Sequence, residues 1–202
     1  ILRMGEWVLR TACEQLARWN GHPVLSQLSL AVNVSPRQFH QTGFVAQVLA
    51  ALAGTGAEPH RLRLELTESM LLQDVEDTID KMVQLRGYGV GFSLDDFGTG
   101  YSSLAYLKRL PVSHIKVDRE FMRNVPASGG DTTLVRAVVA LAHTMGLRVV
   151  VEGVETREQL QFLREMQCAC YQGWLFAKAL APDDVALLYA AGADVAAEGA
   201  LG

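Results

Sequence analysis

"DVEDTIDKMVQLRGYGVGFSLDD", residues 74–96, changes character part-way along. Residues 74–89 predict a helix, with acids in the first turn and glycine after the end. Residues 90–96, "VGFSLDD", are an apolar run closed by two adjacent carboxylates, Asp95 and Asp96. They predict a strand that gives out into a loop.

The same alternation extends in both directions. Upstream, "LSLAVNVS" (28–35) and "RLRLELTE" (61–68) read as strands, and "FVAQVLAALAGTG" (44–56) as a helix closed by glycine. Downstream, "SHIKVD" (113–118), "LRVVVEGV" (147–154) and "CYQGWLF" (170–176) read as strands. Between them lie a short helix in "SSLAYLKRL" and longer ones at 131–146, 156–166 and 181–192, the first of these capped by Asp131 or Thr132. The opening "GEWVLRTACEQLARW" has helical spacing that sets Trp7, Val8, Cys13, Leu16 and Trp19 near one face. The chain starts at Ile1 inside or beside this helix, so it reads as part of a longer protein. The domain is expected to span 1–202, with a core to about residue 192 and a tail at 193–202 that frays.

Strands alternating with helices imply a parallel sheet with helices outside it, either open and doubly wound or closed into a barrel. No G-x-G-x-x-G turn follows the first strand, which argues against dinucleotide binding. The chain has 202 residues, half of them hydrophobic, and a net charge of −4, which gives no electrostatic case for wrapping DNA or RNA. Cys13, Cys168 and Cys170 have no metal-type spacing and read as reduced cytoplasmic thiols. No apolar stretch reaches the roughly 20 residues of a membrane span.

The polar residues at or just before the C-terminal ends of the strands carry the chemistry. They are Asn33, Glu65, Asp95, Asp96, Lys116, Glu152 and Gln172. In a parallel barrel those ends share one rim, where sites are built. Any one of them alone reads as a cap, a turn or a solvated loop residue. Repetition at six consecutive strands favours a site. Carboxylates crowded in a partly desolvated mouth need neutralising, and one lysine is not enough. Oxygen ligands without cysteine or histidine suit Mg²⁺ or Mn²⁺. Asp95 bridging two ions while Asp96 holds one would build a binuclear centre. Two ions about 3.5–4 Å apart clamp the attacking and leaving oxygens of an in-line phosphoryl displacement.

The motifs "MGEWVL", "VNVSPRQF", "ELTES", "LDDFGTGYSSL", "IKVD", "VVEGVET" and "YQGWLFAKAL" occur in the order seen in the EAL domains of bacterial signalling proteins, and the chain resembles that family to about Leu180. The resemblance implies a modified TIM (β/α)8 barrel, here lacking the first two strands, that hydrolyses cyclic di-GMP to linear pGpG with two Mg²⁺ or Mn²⁺ ions. Asn33, Glu65, Asp95, Asp96 and Glu152 match the family's metal ligands. Lys116 matches the lysine that holds the attacking water, so Lys116, Glu152 and Asp95 are the candidate catalytic residues. Glu155 and Gln172 match supporting residues. Glu68 matches the glutamate that pins the loop containing Phe97, Gly98, Thr99, Gly100 and Tyr101, which the family ties to dimerisation. The resemblance also implies a homodimer, and upstream sensor or diguanylate cyclase-type domains in a cytoplasmic protein that is membrane-tethered in some members.

Two departures stand out. The Glu-Ala-Leu motif, with its ligand glutamate, does not occur, and Ala179 stands where the family usually has proline. The expected consequences are an unclosed barrel, a weaker first metal site and poor hydrolysis by this stretch alone. Two alternatives follow: an inactive cyclic di-GMP receptor, and a Schiff-base lyase built on Lys116.

Overall fold

The computed structural model describes residues 1–72, 74–98, 104–127 and 129–190. Its strands are β1 (Leu30–Asn33), β2 (Leu62–Thr67), β3 (Gly91–Phe97), β4 (His114–Val117), β5 (Arg148–Val151) and β6 (Cys170–Tyr171). Its helices are α1 (Leu2–Trp19), α2 (Pro36–Phe39), α3 (Phe44–Thr55), α4 (Val75–Gly87), α5 (Leu104–Leu107), α6 (Gly129–Thr144), α7 (Arg157–Glu165) and α8 (Pro182–Ala190). The six strands follow one another in the sheet in chain order. The pairings β1–β2, β4–β5 and β5–β6 are parallel. This is the α/β class expected from the alternation, with helical crossovers returning the chain to the same end of the sheet.

The chain forms two compact units, Ile1–Leu94 with Ser102–Ser113, and Asp95–Tyr101 with His114–Gly202. In the first, Leu62, Leu64 and Leu66 of β2 are buried together with Glu65, so both faces of the strand are covered. That is how parallel strands are packed. Phe44, Val48 and Leu52 of α3 and Met82 and Leu85 of α4 complete this core. Helix α3 ends on Gly56, whose φ of 73° provides the left-handed cap that the sequence predicts. Helix α4 starts at Asp74, whose carboxylate accepts from the Asp77 N–H.

Helix α1 corrects one expectation. Its inner face is Leu9, Cys13, Gln15, Leu16 and Trp19, whereas Trp7 and Val8 lie on the solvent side. At 100° per residue, Trp7 points away from Cys13 and Leu16, so the apolar face begins at Leu9.

In the second unit all four residues of β4 are buried. Val149 and Val151 of β5, Val135, Val139 and Ala142 of α6, and Phe162 and Leu163 of α7 pack with them as buried residues. Helix α7 opens with a reciprocal cap. The Thr156 hydroxyl accepts from the Gln159 N–H, and the Gln159 side chain accepts from the Thr156 N–H. The amide of Gln159 also donates to the Met122 carbonyl at 2.7 Å. Helix α6 begins earlier than expected, at Gly129, which puts Asp131 in its first turn and not at its cap. Asp131 still suits that turn electrostatically.

Every strand except β3 is shorter than its predicted run. The last is the clearest case, because β6 stops at Tyr171. The Phe176 N–H bonds the Gly173 carbonyl and closes a turn, so residues 173–176 leave the ladder.

The three thiols are free, as expected from their spacing. Burial, with the neighbouring Glu14 charge adding to it, pushes Cys13 up to about 11. Burial does the same for Cys168, also to about 11. Cys170 is only half-buried. Thiolate is the reactive form, so at about pH 8 only Cys170 should react quickly with a thiol reagent. Cys13 and Cys168 should react only after denaturation. Equal rates at all three positions would contradict this packing.

Candidate active site

In the second unit, the end of β3 carries Asp95 and Asp96. Lys116 is the third residue of β4, and Glu152 and Gln172 are the first residues beyond β5 and β6. Lys116 is the hub. Its Nζ lies 2.7 Å from Glu152 Oε1 and 3.1 Å from Asp95 Oδ1, with its side chain only 8% exposed. It does not lie along the surface with its ammonium in water. The Gln172 amide donates to the same Glu152 oxygen at 2.9 Å. Asp95 Oδ1 also accepts from the Asp96 N–H at 3.1 Å. Lys116 and Gln172 therefore fix the position of Glu152, and Lys116 and the Asp96 N–H fix that of Asp95.

Asp96 has φ of 53°, a left-handed conformation that a non-glycine residue adopts at a cost. This turns its carboxylate out of the alternation of β3. Its pKa is raised, first by burial, then by the Asp95 charge, the hydrogen bond and charge of Asp118, and the charge of Glu152. Four carboxylates thus share a neighbourhood with one ammonium, which is an excess of negative charge. Asp118 is a residue that the sequence reading missed. It lies one residue beyond β4 and its carboxylate also accepts from the Glu120 N–H at 2.6 Å, capping a short 3-10 turn. The sequence reading placed it as the last residue of the predicted strand 113–118 and gave it no role.

Two glycines hold this unit's backbone in place. Gly153 has φ of 71°, and a Cβ there would fall 2.5 Å from Arg119 Cβ. A Cβ on Gly173 would overlap the Val154 carbonyl oxygen. Both positions exclude any side chain, which keeps the segments after β5 and β6 in contact.

In the first unit, Asn33 is the Cα partner of Glu65 across β1 and β2. Glu65 is buried and its Oε1 receives the Ser93 hydroxyl at 3.4 Å. It lies two residues before the end of β2. Glu68 is buried in the 3-10 turn after β2. Glu155 is exposed, and its backbone N–H donates to Gln159 Oε1 at 2.7 Å. Phe97 is buried and Gly98 has φ of 98°. Thr99, Gly100 and Tyr101 lie outside the described residues.

Among the described residues, no three of His, Cys, Asp and Glu gather closely enough to hold an ion. The Lys116 ammonium takes the place between Asp95 and Glu152. The donor chemistry still fits a hard divalent cation, because the cluster supplies only carboxylate and amide oxygens and carries surplus negative charge. No helix among the described residues is long and apolar enough to cross a membrane.

The EAL domain model matches residues 1–179. The bifunctional diguanylate cyclase/cyclic di-GMP phosphodiesterase MucR of Pseudomonas aeruginosa is 44% identical over 180 residues, which are 88% of this chain and 26% of that protein. The chain therefore spans about a quarter of that relative's length. The solved PaMucR phosphodiesterase, a c-di-GMP complex, superposes with a TM-score of 0.86 at 43% identity, covering 92% of this chain and 74% of that one. The manganese/cy-diGMP complex of Klebsiella pneumoniae BlrP1 gives a TM-score of 0.78 at 30% identity, covering 88% of this chain and 44% of that one. A family match over residues 1–179 and 44% identity over 88% of the chain show that this chain belongs to the EAL domain family.

Proposed function

We propose that the chain is a divalent-metal-dependent phosphodiesterase domain that opens cyclic di-GMP to linear pGpG. The observation that carries this reading is the Asp95–Lys116–Glu152 chain of ion pairs in an acidic cluster. Asn33, Glu65, Asp95, Asp96 and Glu152 are the proposed ligands for two Mg²⁺ or Mn²⁺ ions. Bound ions of this kind activate water and neutralise charge developing on phosphate oxygens.

The chain's own residues do the rest. Lys116, held between two carboxylates, presents a fixed positive charge to the attacking water and the phosphate. Gln172 keeps Glu152 in one orientation through its 2.9 Å hydrogen bond. Glu68 and Glu155 support the surrounding loops, and the loop that includes Phe97 and Gly98 serves a homodimer contact. The domain works in the cytoplasm alongside sensor or diguanylate cyclase-type domains. Support comes from the cyclic di-GMP complexes of the related structures and from the multi-activity relative.

The test is turnover of cyclic di-GMP followed by separation of pGpG. EDTA should abolish hydrolysis, and Mg²⁺ or Mn²⁺ should restore it. Asp95→Asn should lower kcat by roughly 10²-fold or more, because a neutral ligand replaces a charged one. Undiminished turnover in EDTA, or binding with no hydrolysis under either ion by the full-length protein, would refute the reading.

A further inference from the structure

Trp174 follows Gln172 by two residues and is 66% exposed. Its backbone is fixed to the segment that carries Glu152. The Gln172 N–H donates to the Val151 carbonyl at 2.8 Å, and the Val154 N–H donates to the Gln172 carbonyl at 3.1 Å. The Leu175 N–H returns to the Val154 carbonyl at 3.0 Å. Gly173, between these anchors, has no room for a Cβ against Val154. The exposed indole thus sits on a turn whose backbone is anchored, two residues from Gln172, which bonds Glu152. Lys178 places its Nζ 5.6 Å from the indole centroid, over one face. The ring therefore has a cation on one face and stays largely open to solvent. A flat π-surface flanked by an ammonium matches a ligand with an aromatic base joined to a phosphate.

We propose that Trp174 is a specificity residue that stacks a nucleobase of the cyclic dinucleotide, with Lys178 holding the indole in place and attracting the phosphate. This rests on the phosphodiesterase reading above. The stacking is a ground-state contact as much as a transition-state one, so it acts on KM and Kd more than on kcat.

The experiment is calorimetry of the protein with cyclic di-GMP and Ca²⁺, together with steady-state kinetics in Mg²⁺, on wild type, Trp174→Ala and Trp174→Phe. Trp174→Ala should weaken binding and raise KM by roughly 10-fold or more, leaving kcat within a few-fold. Trp174→Phe, which keeps an aromatic face, should recover most of the affinity. Equal affinity of wild type and Trp174→Ala overturns the inference while the phosphodiesterase reading stands. So does an equal loss in the alanine and phenylalanine variants, or a change of oligomeric state with affinity unaltered. Wild-type protein that takes up no cyclic di-GMP removes both together.

Discussion

Replacing Lys116 by alanine should reduce the turnover of cyclic di-GMP by roughly 10²- to 10⁴-fold, the range for losing a positioned proton-transfer group or electrostatic stabiliser. The size follows from the burial of Lys116 and from its two ion pairs, 2.7 Å to Glu152 and 3.1 Å to Asp95. No other cation is paired with either carboxylate in the described contacts. Metal binding should respond differently. Without the ammonium, Glu152 Oε1 and Asp95 Oδ1 lose a competitor, so the thermal stabilisation by Mn²⁺ should persist in Lys116→Ala. It should disappear in Asp95→Asn and Glu152→Gln, which remove ligand charge. Comparing kcat with the Mn²⁺-dependent shift in Tm across these three variants separates a catalytic lysine from a structural one. A kcat for Lys116→Ala within tenfold of wild type would remove the lysine from the mechanism.

The second large effect is on stability. Arg61→Met should cost about 3 kcal/mol, seen as a fall in Tm on the order of 10 °C. Arg61 is 3% exposed and ties together three segments of the first unit. Its Nε donates to the Leu28 carbonyl at 2.8 Å, and Nη2 donates to the Leu25 carbonyl at 2.8 Å. Its Nη1 donates to Asn20 Oδ1 at 2.7 Å and to the Leu16 carbonyl at 3.4 Å. Leu16 is in the last turn of α1 and Asn20 is its cap, so the guanidinium also satisfies a helix C-terminus, where positive charge is favoured. Methionine fills a similar volume but leaves these acceptors without their donor. Relief from burying a charge offsets only part of the loss, because removing one partner of a buried polar network exposes the full desolvation cost of the others. Arg61→Lys should recover less than half, since a point ammonium cannot reach acceptors spread around a planar fork. A midpoint for Arg61→Met within about 2 °C of wild type would show that water replaces the fork without penalty.

How far the sequence could be read depended on the range of the interaction involved. Helix ends were legible to within a residue or two where the cap is local. Gly56 closes α3, Asp74 starts α4, and Thr156 with Gln159 starts α7. The alternation alone left an open doubly wound sheet and a barrel, which order their strands differently, and the family resemblance pointed to the barrel. The family motifs picked out the strand-end acids as a set.

Contacts between residues distant in the chain could not be read in this way. Nothing within a few residues of Arg61 shows that it reaches Leu16 and Leu28, and its neighbours suggest an ordinary surface arginine. Trp7 fits the apolar content of α1 yet faces solvent, since only packing decides which side of a helix is covered. Asp118 closed a predicted strand without any role until its hydrogen bond with Asp96 was visible. The pairing of Lys116 with Asp95 and Glu152 has the same origin. Element type and order follow from backbone periodicity and capping, which are encoded within a few residues. Burial and charge pairing are properties of groups that meet only when the chain has folded, and so they had to be seen in three dimensions.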